Sequence, residues 1–135
     1  MQDIMLQKAI AVKQHAYAPY SKYKVGACVQ SEDGELFVGC NVENASYGLT
    51  VCAEVNAIGA MIAAGKKRIK ALVVVGTGKD LCTPCGRCRQ FIREFMASDA
   101  SIYLCADDKI ADTTTIAELL PKSFGPEHLK NLEEK

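Results

Sequence analysis

Four cysteines in two segments are the residues of this sequence best suited to chemistry. Cys52 opens the segment Cys-Ala-Glu, and Cys82, Cys85 and Cys88 follow one another at intervals of three residues. Thiolates from Cys52, Cys85 and Cys88 would occupy three corners of a zinc tetrahedron and leave the fourth for water, as a catalytic zinc site requires. Zinc lowers the pKa of such a water to about 7, so that hydroxide is available near neutral pH. These cysteines therefore predict one zinc ion per subunit and a hydrolytic reaction.

A carboxylate, Glu54, stands two positions after the first of these ligands. At this spacing it can face the water on the zinc without binding the metal itself. We expect it to act as general acid and base, taking a proton from the water and passing protons to the ring and to the departing amine. Together with Pro84 directly before Cys85, these residue types form the pattern of zinc-dependent nucleobase deaminases.

Spacing alone leaves other interpretations of these residues open. Cys82 and Cys85 make a second Cys-x-x-Cys pair, so a closed four-cysteine structural zinc site that includes Cys52 is conceivable. Such a site would leave Glu54 without a purpose, although Glu54 could also be an ordinary acid favoured by the dipole at a helix N-terminus. A redox-active cysteine pair would leave the distant Cys52 segment unexplained.

The elements that must position these residues alternate between helix and strand. Apolar periodicity and end signals predict helices over residues 4–16, 52–64 and 88–96 and strands over residues 25–30, 36–41, 69–75 and 101–105. Asp33 and Gly34 favour a tight hairpin turn, and Gly65 ends the second helix. The tail from residue 116 holds a short helical turn and an amphipathic stretch. This order predicts an α/β fold, a three-layer α/β/α sandwich around a mixed sheet.

Composition limits the partners of the chain. Its 135 residues, 49% of them apolar, suffice for one core, so residues 1–135 are expected to form a single domain. Sixteen basic residues balance sixteen acidic ones, which leaves no positive field for a nucleic acid polymer or an acidic membrane. The seven cysteines are an odd number and fit reduced thiols better than disulfides. With no leader or long apolar run, we expect a cytoplasmic protein.

The sequence resembles the small homotetrameric cytidine deaminases along nearly its whole length. The similarity runs through both zinc segments and through residues 18–21, 25–27, 39–44, 118–121 and 124. It implies a three-layer sandwich with a mixed five-stranded sheet. It also implies hydrolytic deamination of cytidine and 2'-deoxycytidine to uridine and 2'-deoxyuridine with release of ammonia, a step of pyrimidine salvage.

The resemblance further assigns roles to individual residues. Zinc would be held by Cys52, Cys85 and Cys88, with Glu54 as the general acid and base. The predicted substrate-binding residues are Asn41 and Glu43 at the ribose hydroxyls, Val42 between them, the Ala53 backbone N–H at the base carbonyl, Tyr23 beside the base, and Phe124 from a neighbouring subunit. A homotetramer with shared active sites follows from that last role.

The chain departs from the family pattern at two positions. Many members carry phenylalanine where Tyr23 stands, so the extra hydroxyl needs a polar partner or water. Many carry arginine directly after the catalytic glutamate, where this chain has Val55. We hypothesise that Arg87, between the last two ligands, supplies the missing positive charge, assisted by the dipoles of the two helices that begin at the ligands.

Other functions and roles remain open at this point. Blasticidin S deaminases look similar through the zinc segments and also show arginine between the last two ligands. A non-catalytic, zinc-stabilised binding module is the alternative from another class of protein. Asn41 and Glu43 could simply form the turn after the second strand, and Phe124 could be only a core or interface anchor.

Overall fold

A computed structural model describes residues 1–133 of the chain. The helices are α1 (Gln2–Lys13), α2 (Ala53–Ala63), α3 (Gly86–Phe95), α4 (Ile116–Leu119) and α5 (Pro126–Glu133), with a short 3-10 helix at Tyr47–Leu49. The strands are β1 (Gly26–Ser31), β2 (Leu36–Cys40), β3 (Ile69–Val75), β4 (Met96–Ala106) and β5 (Lys109–Thr114). No helix within this described part of the chain has the length and apolar content that a membrane crossing needs.

The five strands form one mixed sheet in the order β2-β1-β3-β4-β5. β1 pairs antiparallel with both β2 and β3, and β4 pairs antiparallel with β5. The central pair β3 and β4 is parallel. Because α3 lies in the connection between these two strands, the chain makes a βαβ crossover at the centre of the sheet.

Central strand β3 shows how the sheet carries two cores. Its side chains alternate in direction, so Leu72 and Val74 join the core under α2 and α3, while Val73 and Val75 join the core under α1. Both faces of the strand are therefore buried, as its continuous apolar run predicts. This arrangement confirms the predicted three-layer sandwich with helices on both faces of a five-stranded sheet.

The C-terminal half differs from the sequence-based prediction in its boundaries. The sequence patterns predict no strand at residues 109–114, where the structure has β5. This edge strand is mostly exposed and polar, so it lacks the apolar pattern of a buried strand. Asp107 and Asp108 turn the chain into it with φ of 53° and 57°. β4 also begins earlier than predicted, at Met96, directly after α3.

Candidate active site

The site lies where two helices of the same sheet face begin. Cys52 is the N-cap residue of α2 and Cys85 is the N-cap residue of α3, and both have extended backbone conformations. Cys88 follows in the first turn of α3 and is fully buried. Its N–H donates a hydrogen bond of 3.4 Å to Cys85 Sγ, which caps the helix. Local helix-start geometry thus turns the sulfur atoms of both segments towards one point.

The distances between these sulfur atoms fit a zinc ion. The Sγ atoms of Cys52, Cys85 and Cys88 all lie within 4.8 Å of one another. Cys52 Sγ and Cys85 Sγ are 3.8 Å apart. Because zinc binds thiolate at about 2.3 Å in a tetrahedron, two of its sulfur ligands lie about 3.8 Å from each other. The three thiols could therefore hold zinc with little movement.

Two thiols of the cluster, Cys52 and Cys88, differ in how readily they lose a proton. The hydrogen bond with Cys88 lowers the pKa of the Cys52 thiol to about 6, with further contributions from Cys85 and from the charge of Arg87. The same hydrogen bond raises the pKa of Cys88. One thiolate is thus stabilised by its neighbours, and a second is disfavoured beside it because the negative charges repel. A bound cation removes that obstacle to full ionisation.

Glu54 is buried beside this cluster, in the first turn of α2. Only 4% of it is exposed, and among the described residues it is the one carboxyl or basic side chain in the buried class. Burial raises the pKa of its carboxyl to about 7. An exposed acid that merely complements a helix dipole would not show this burial. A carboxyl with a pKa near neutral can both accept and release a proton.

The cluster opens into a cavity of about 340 Å³. Its wall includes the three cysteines and Glu54, together with Tyr23, Val25, Asn41, Thr50, Ala53, Leu81, Cys82 and Thr83. A larger hollow of about 650 Å³ lies along α3, α4 and α5. The metal-ligand cluster found in residues 1–133 lies in the smaller cavity, so chemistry and not size identifies the site.

Asn41 contributes to this cavity mainly as part of its framework. The side chain is 8% exposed. Its Oδ1 accepts a 2.9 Å hydrogen bond from the Val25 N–H, and its Nδ2 donates a 2.9 Å bond to the Tyr23 carbonyl. The amide thereby joins the start of β1 to the loop that carries Tyr23.

Glu43 lies in an adjoining hollow of about 280 Å³, which shares Thr50 with the main cavity. Its carboxylate accepts hydrogen bonds from the N–H groups of Tyr20 and Ser21, at 3.0 and 3.1 Å, and from the Ser21 hydroxyl. The Ser21 hydroxyl in particular lowers the pKa of Glu43. Asn41 and Glu43 are thus both engaged within the chain, and their contacts to a sugar stay predictions.

The other predicted substrate residues divide into two groups. Tyr23 and Ala53 line the cavity, and the first turn of α2 leaves backbone N–H groups without helical partners. Val42 instead pairs with Val51 through backbone hydrogen bonds of 2.9 Å. Phe124 is 58% exposed and stacks on His128 at 5.1 Å. Neither Val42 nor Phe124 reaches the cavity of its own chain.

Arg87 lies at the rim of the metal cluster. Its Nη1 donates a 3.4 Å hydrogen bond to the carbonyl of Thr50, two residues before Cys52. Its charge is one of the factors that lower the pKa of Cys52. Val55, directly after Glu54, is half-buried and packs against the core. The compensating role of Arg87 stays a prediction that this placement favours.

Cys82 is the cavity residue whose role the sequence left least defined. It is 6% exposed and lines the cavity, but the cluster of sulfur atoms in the described chain consists of the other three cysteines. Val25, Thr50, Leu81 and Thr83 also line the wall without having been predicted. Apolar and hydroxyl side chains at such positions carry no sequence signal of their own.

The fold and this site define a zinc-dependent deaminase. Residues 1–104 match the family described as "Cytidine and deoxycytidylate deaminase zinc-binding region". The cytidine deaminase of Sporosarcina psychrophila is 38% identical over 131 residues, which are 97% of this chain and 96% of that protein. The chain belongs to the cytidine and deoxycytidylate deaminase family, whose matching region binds zinc.

Solved structures give the same result. The crystal structure of cytidine deaminase from Burkholderia pseudomallei superposes with a TM-score of 0.87 at 40% identity, covering 92% of this chain and 99% of that one. For the enzyme from Mycobacterium tuberculosis the TM-score is 0.81 at 38% identity, covering 92% and 97%. The predicted family and five-stranded fold are confirmed.

Proposed function

We propose that this protein hydrolyses cytidine and 2'-deoxycytidine to uridine and 2'-deoxyuridine with release of ammonia, as an enzyme of pyrimidine salvage. The observation that carries the proposal is the buried carboxyl of Glu54 beside three thiols in the wall of one cavity. Its relatives at 38 to 41% identity include proteins named cytidine deaminase. A cavity of about 340 Å³ lies within the size range of small-molecule sites.

Cys52, Cys85 and Cys88 would hold the zinc ion, which would supply a Lewis acid that makes water nucleophilic near neutral pH. Glu54 transfers the protons of the reaction. Its carboxylate takes one proton from the attacking water and places it on ring N3 as the C4–O bond forms. It then carries the proton of the new C4 hydroxyl to the amine, and the C4–N bond breaks. One water is consumed, and one ammonia and one uracil ring are formed.

Residues of the cavity wall, together with Glu43 from the adjoining hollow, orient the nucleoside. The backbone N–H of Ala53, at the start of α2, donates to the base carbonyl. The ring of Tyr23 lies beside the base, and Asn41 and Glu43 bind the ribose hydroxyls near Val42. Because the carboxylate of Glu43 repels phosphate, nucleosides are preferred to nucleotides.

We further propose a homotetramer in which Phe124 completes the active site of a neighbouring subunit. Large apolar side chains are exposed on this part of the surface: Tyr20 and Tyr47, which line the hollow that contains Glu43, are 50 and 77% exposed, and Leu49 is 66% exposed. Exposed apolar groups in such number mark an interaction surface. Light scattering on the purified protein measures the assembly, and a monomer with full activity would refute the shared site.

A reducing compartment such as the cytoplasm suits this chemistry. All seven cysteines are free thiols, and the three predicted ligands must stay reduced to bind zinc. Oxidation of Cys52 and Cys85, whose sulfur atoms are 3.8 Å apart, would remove two ligands.

The decisive test is the loss of cytosine absorbance when zinc-loaded protein is mixed separately with cytidine, 2'-deoxycytidine, cytosine, CMP and blasticidin S. Conversion of the two nucleosides, with little reaction of cytosine and CMP, is the expected result. Arg87, in the pattern shared with blasticidin S deaminases, favours that antibiotic as the second candidate substrate. If none of the five compounds lost absorbance although zinc was bound, the result would instead support a non-catalytic zinc module.

A further inference from the structure

Three hydrogen bonds fix the backbone at Tyr23 and at the next residue, Lys24. The Tyr23 N–H donates to Ser21 Oγ at 3.0 Å, and the Tyr23 carbonyl accepts from Asn41 Nδ2 at 2.9 Å. The next N–H, that of Lys24, donates to Thr77 Oγ1 at 2.8 Å. These bonds fix where the side chain leaves the backbone, but they leave the ring free to rotate about its own bonds.

The far end of the ring meets Cys82. The Tyr23 hydroxyl and the Cys82 sulfur lie beside each other over Gly76. Burial, followed by the Cys82 side chain, raises the pKa of Tyr23 to about 12. Both atoms crowd the backbone of Gly76: a Cβ placed there would lie 2.3 Å from Tyr23 Oη and 2.8 Å from Cys82 Sγ. The hydroxyl therefore fits only because position 76 has no side chain.

Cys82 is itself held in place by a backbone hydrogen bond to the sheet. Its N–H donates a 3.0 Å hydrogen bond to the carbonyl of Cys105 in β4. The carbonyl of Gly76, beneath the same contact, accepts from Lys13 Nζ at 3.1 Å. Cys82 thus connects the ring of Tyr23 to the rigid sheet, whereas the ring lies on a loop.

From these contacts we propose that Cys82 is a positioning residue of the active site, whose sulfur accepts a hydrogen bond from the Tyr23 hydroxyl and so keeps the ring as a fixed wall for the pyrimidine base. The role rests on the proposed function. It also answers the need of Tyr23 for a polar partner, which phenylalanine at this position would not have. Sulfur is a weak acceptor, and Tyr23 as a whole is 38% exposed, but its hydroxyl lies against the buried residues Gly76 and Cys82. Loss of the sulfur therefore leaves the hydroxyl unpaired.

The test compares Cys82→Ala with Cys82→Ser, each alone and combined with Tyr23→Phe, in steady-state kinetics with cytidine. Loss of one such bond should raise KM about threefold to tenfold in Cys82→Ala, with kcat within about twofold. Cys82→Ser, which keeps an acceptor, should restore KM. With Tyr23→Phe in place, Cys82→Ala should change KM by less than about twofold, because no hydroxyl remains to be held.

Three results would overturn the proposal: no change of KM in Cys82→Ala, no rescue by serine, or the same change of KM in both backgrounds. Cys28→Ala is the matched control, since Cys28 is equally a buried thiol but lies in the core under α1. It should leave KM unchanged. Zinc content is measured in every variant, so that damage to the neighbouring ligands is recognised.

An NMR measurement that does not depend on enzyme activity tests this proposal separately from the proposed function. In protein labelled with ¹³C at the tyrosine ring carbon that bears the hydroxyl, the Tyr23 signal is identified by its loss in Tyr23→Phe. It should shift in Cys82→Ala, return in Cys82→Ser and stay in place in Cys28→Ala. An inactive wild-type protein would refute cytidine deamination, whereas an unshifted signal in Cys82→Ala would refute the contact itself.

Discussion

The two faces of the central sheet use different residues for different purposes. Under α1 the core is built from apolar side chains such as Met5, Ala9 and Val73, with the thiols Cys28 and Cys105 and, among the described residues, without a buried carboxyl or basic group. Under α2 and α3 the same kind of packing supports three thiols and the buried carboxyl of Glu54. Burying an ionisable group is unfavourable unless it has a task or a partner. The face under α1 therefore serves stability, and the face under α2 and α3 also serves chemistry.

Removal of a metal ligand from the face under α2 and α3 should have the largest effect on activity. We expect Cys88→Ala to lose zinc, to lose deaminase activity by at least about four orders of magnitude and to melt earlier, because metal binding contributes to folding. Zinc analysis, kinetics and thermal melts measure the three effects. Full zinc occupancy in this variant would show that the cluster is not the metal site.

Glu54→Gln tests the buried acid without removing a ligand. We expect kcat to fall by about 10² to 10⁴, since the proton carrier is lost. Zinc content and melting temperature should be retained, because glutamine has the same shape and no charge to bury. Unchanged turnover would end the deaminase mechanism, and loss of zinc would mean that Glu54 supports the metal.

A matched pair of core substitutions compares the faces directly. Met5 in α1 is 1% exposed and Met61 in α2 is 0% exposed, so truncation of either to alanine should lower the free energy of unfolding by about 2–5 kcal/mol. Only Met61→Ala should also lower kcat, because α2 carries Cys52 and Glu54 at its start. Denaturant titrations and kinetics on the folded proteins check this. Equal effects on kcat would contradict the division of roles.

The smallest effect is expected at the rim. Arg87→Ala should lower zinc affinity or activity about 10- to 100-fold, as loss of an outer partner of a metal site does. Adding Val55→Arg to this variant should restore much of the loss, since a positive charge returns beside the thiolates. Arg87→Ala with full activity and zinc content would show that the helix dipoles suffice.

The N-terminal half of the fold was the easier part to predict. The run of residues 69–75 matches β3 as built, and Gly65, with φ of 88°, follows α2 as expected. These features depend on neighbours in sequence, so local patterns report them. β5 was not located, because an exposed edge strand draws its pairing from β4 and not from an apolar pattern of its own.

Residue types and spacing by themselves predicted the zinc ligands and the proton carrier, and located the start of α2 to within one residue. They do so because chelation by Cys-x-x-Cys and capping at a helix N-terminus are local properties. Only the tertiary structure decided that Cys52 and Cys85 stand 3.8 Å apart, that Glu54 is buried, and that Tyr23 meets Cys82 over Gly76. These contacts join segments far apart in the chain, and their distances follow from the packing of helices on the sheet, which no local pattern specifies.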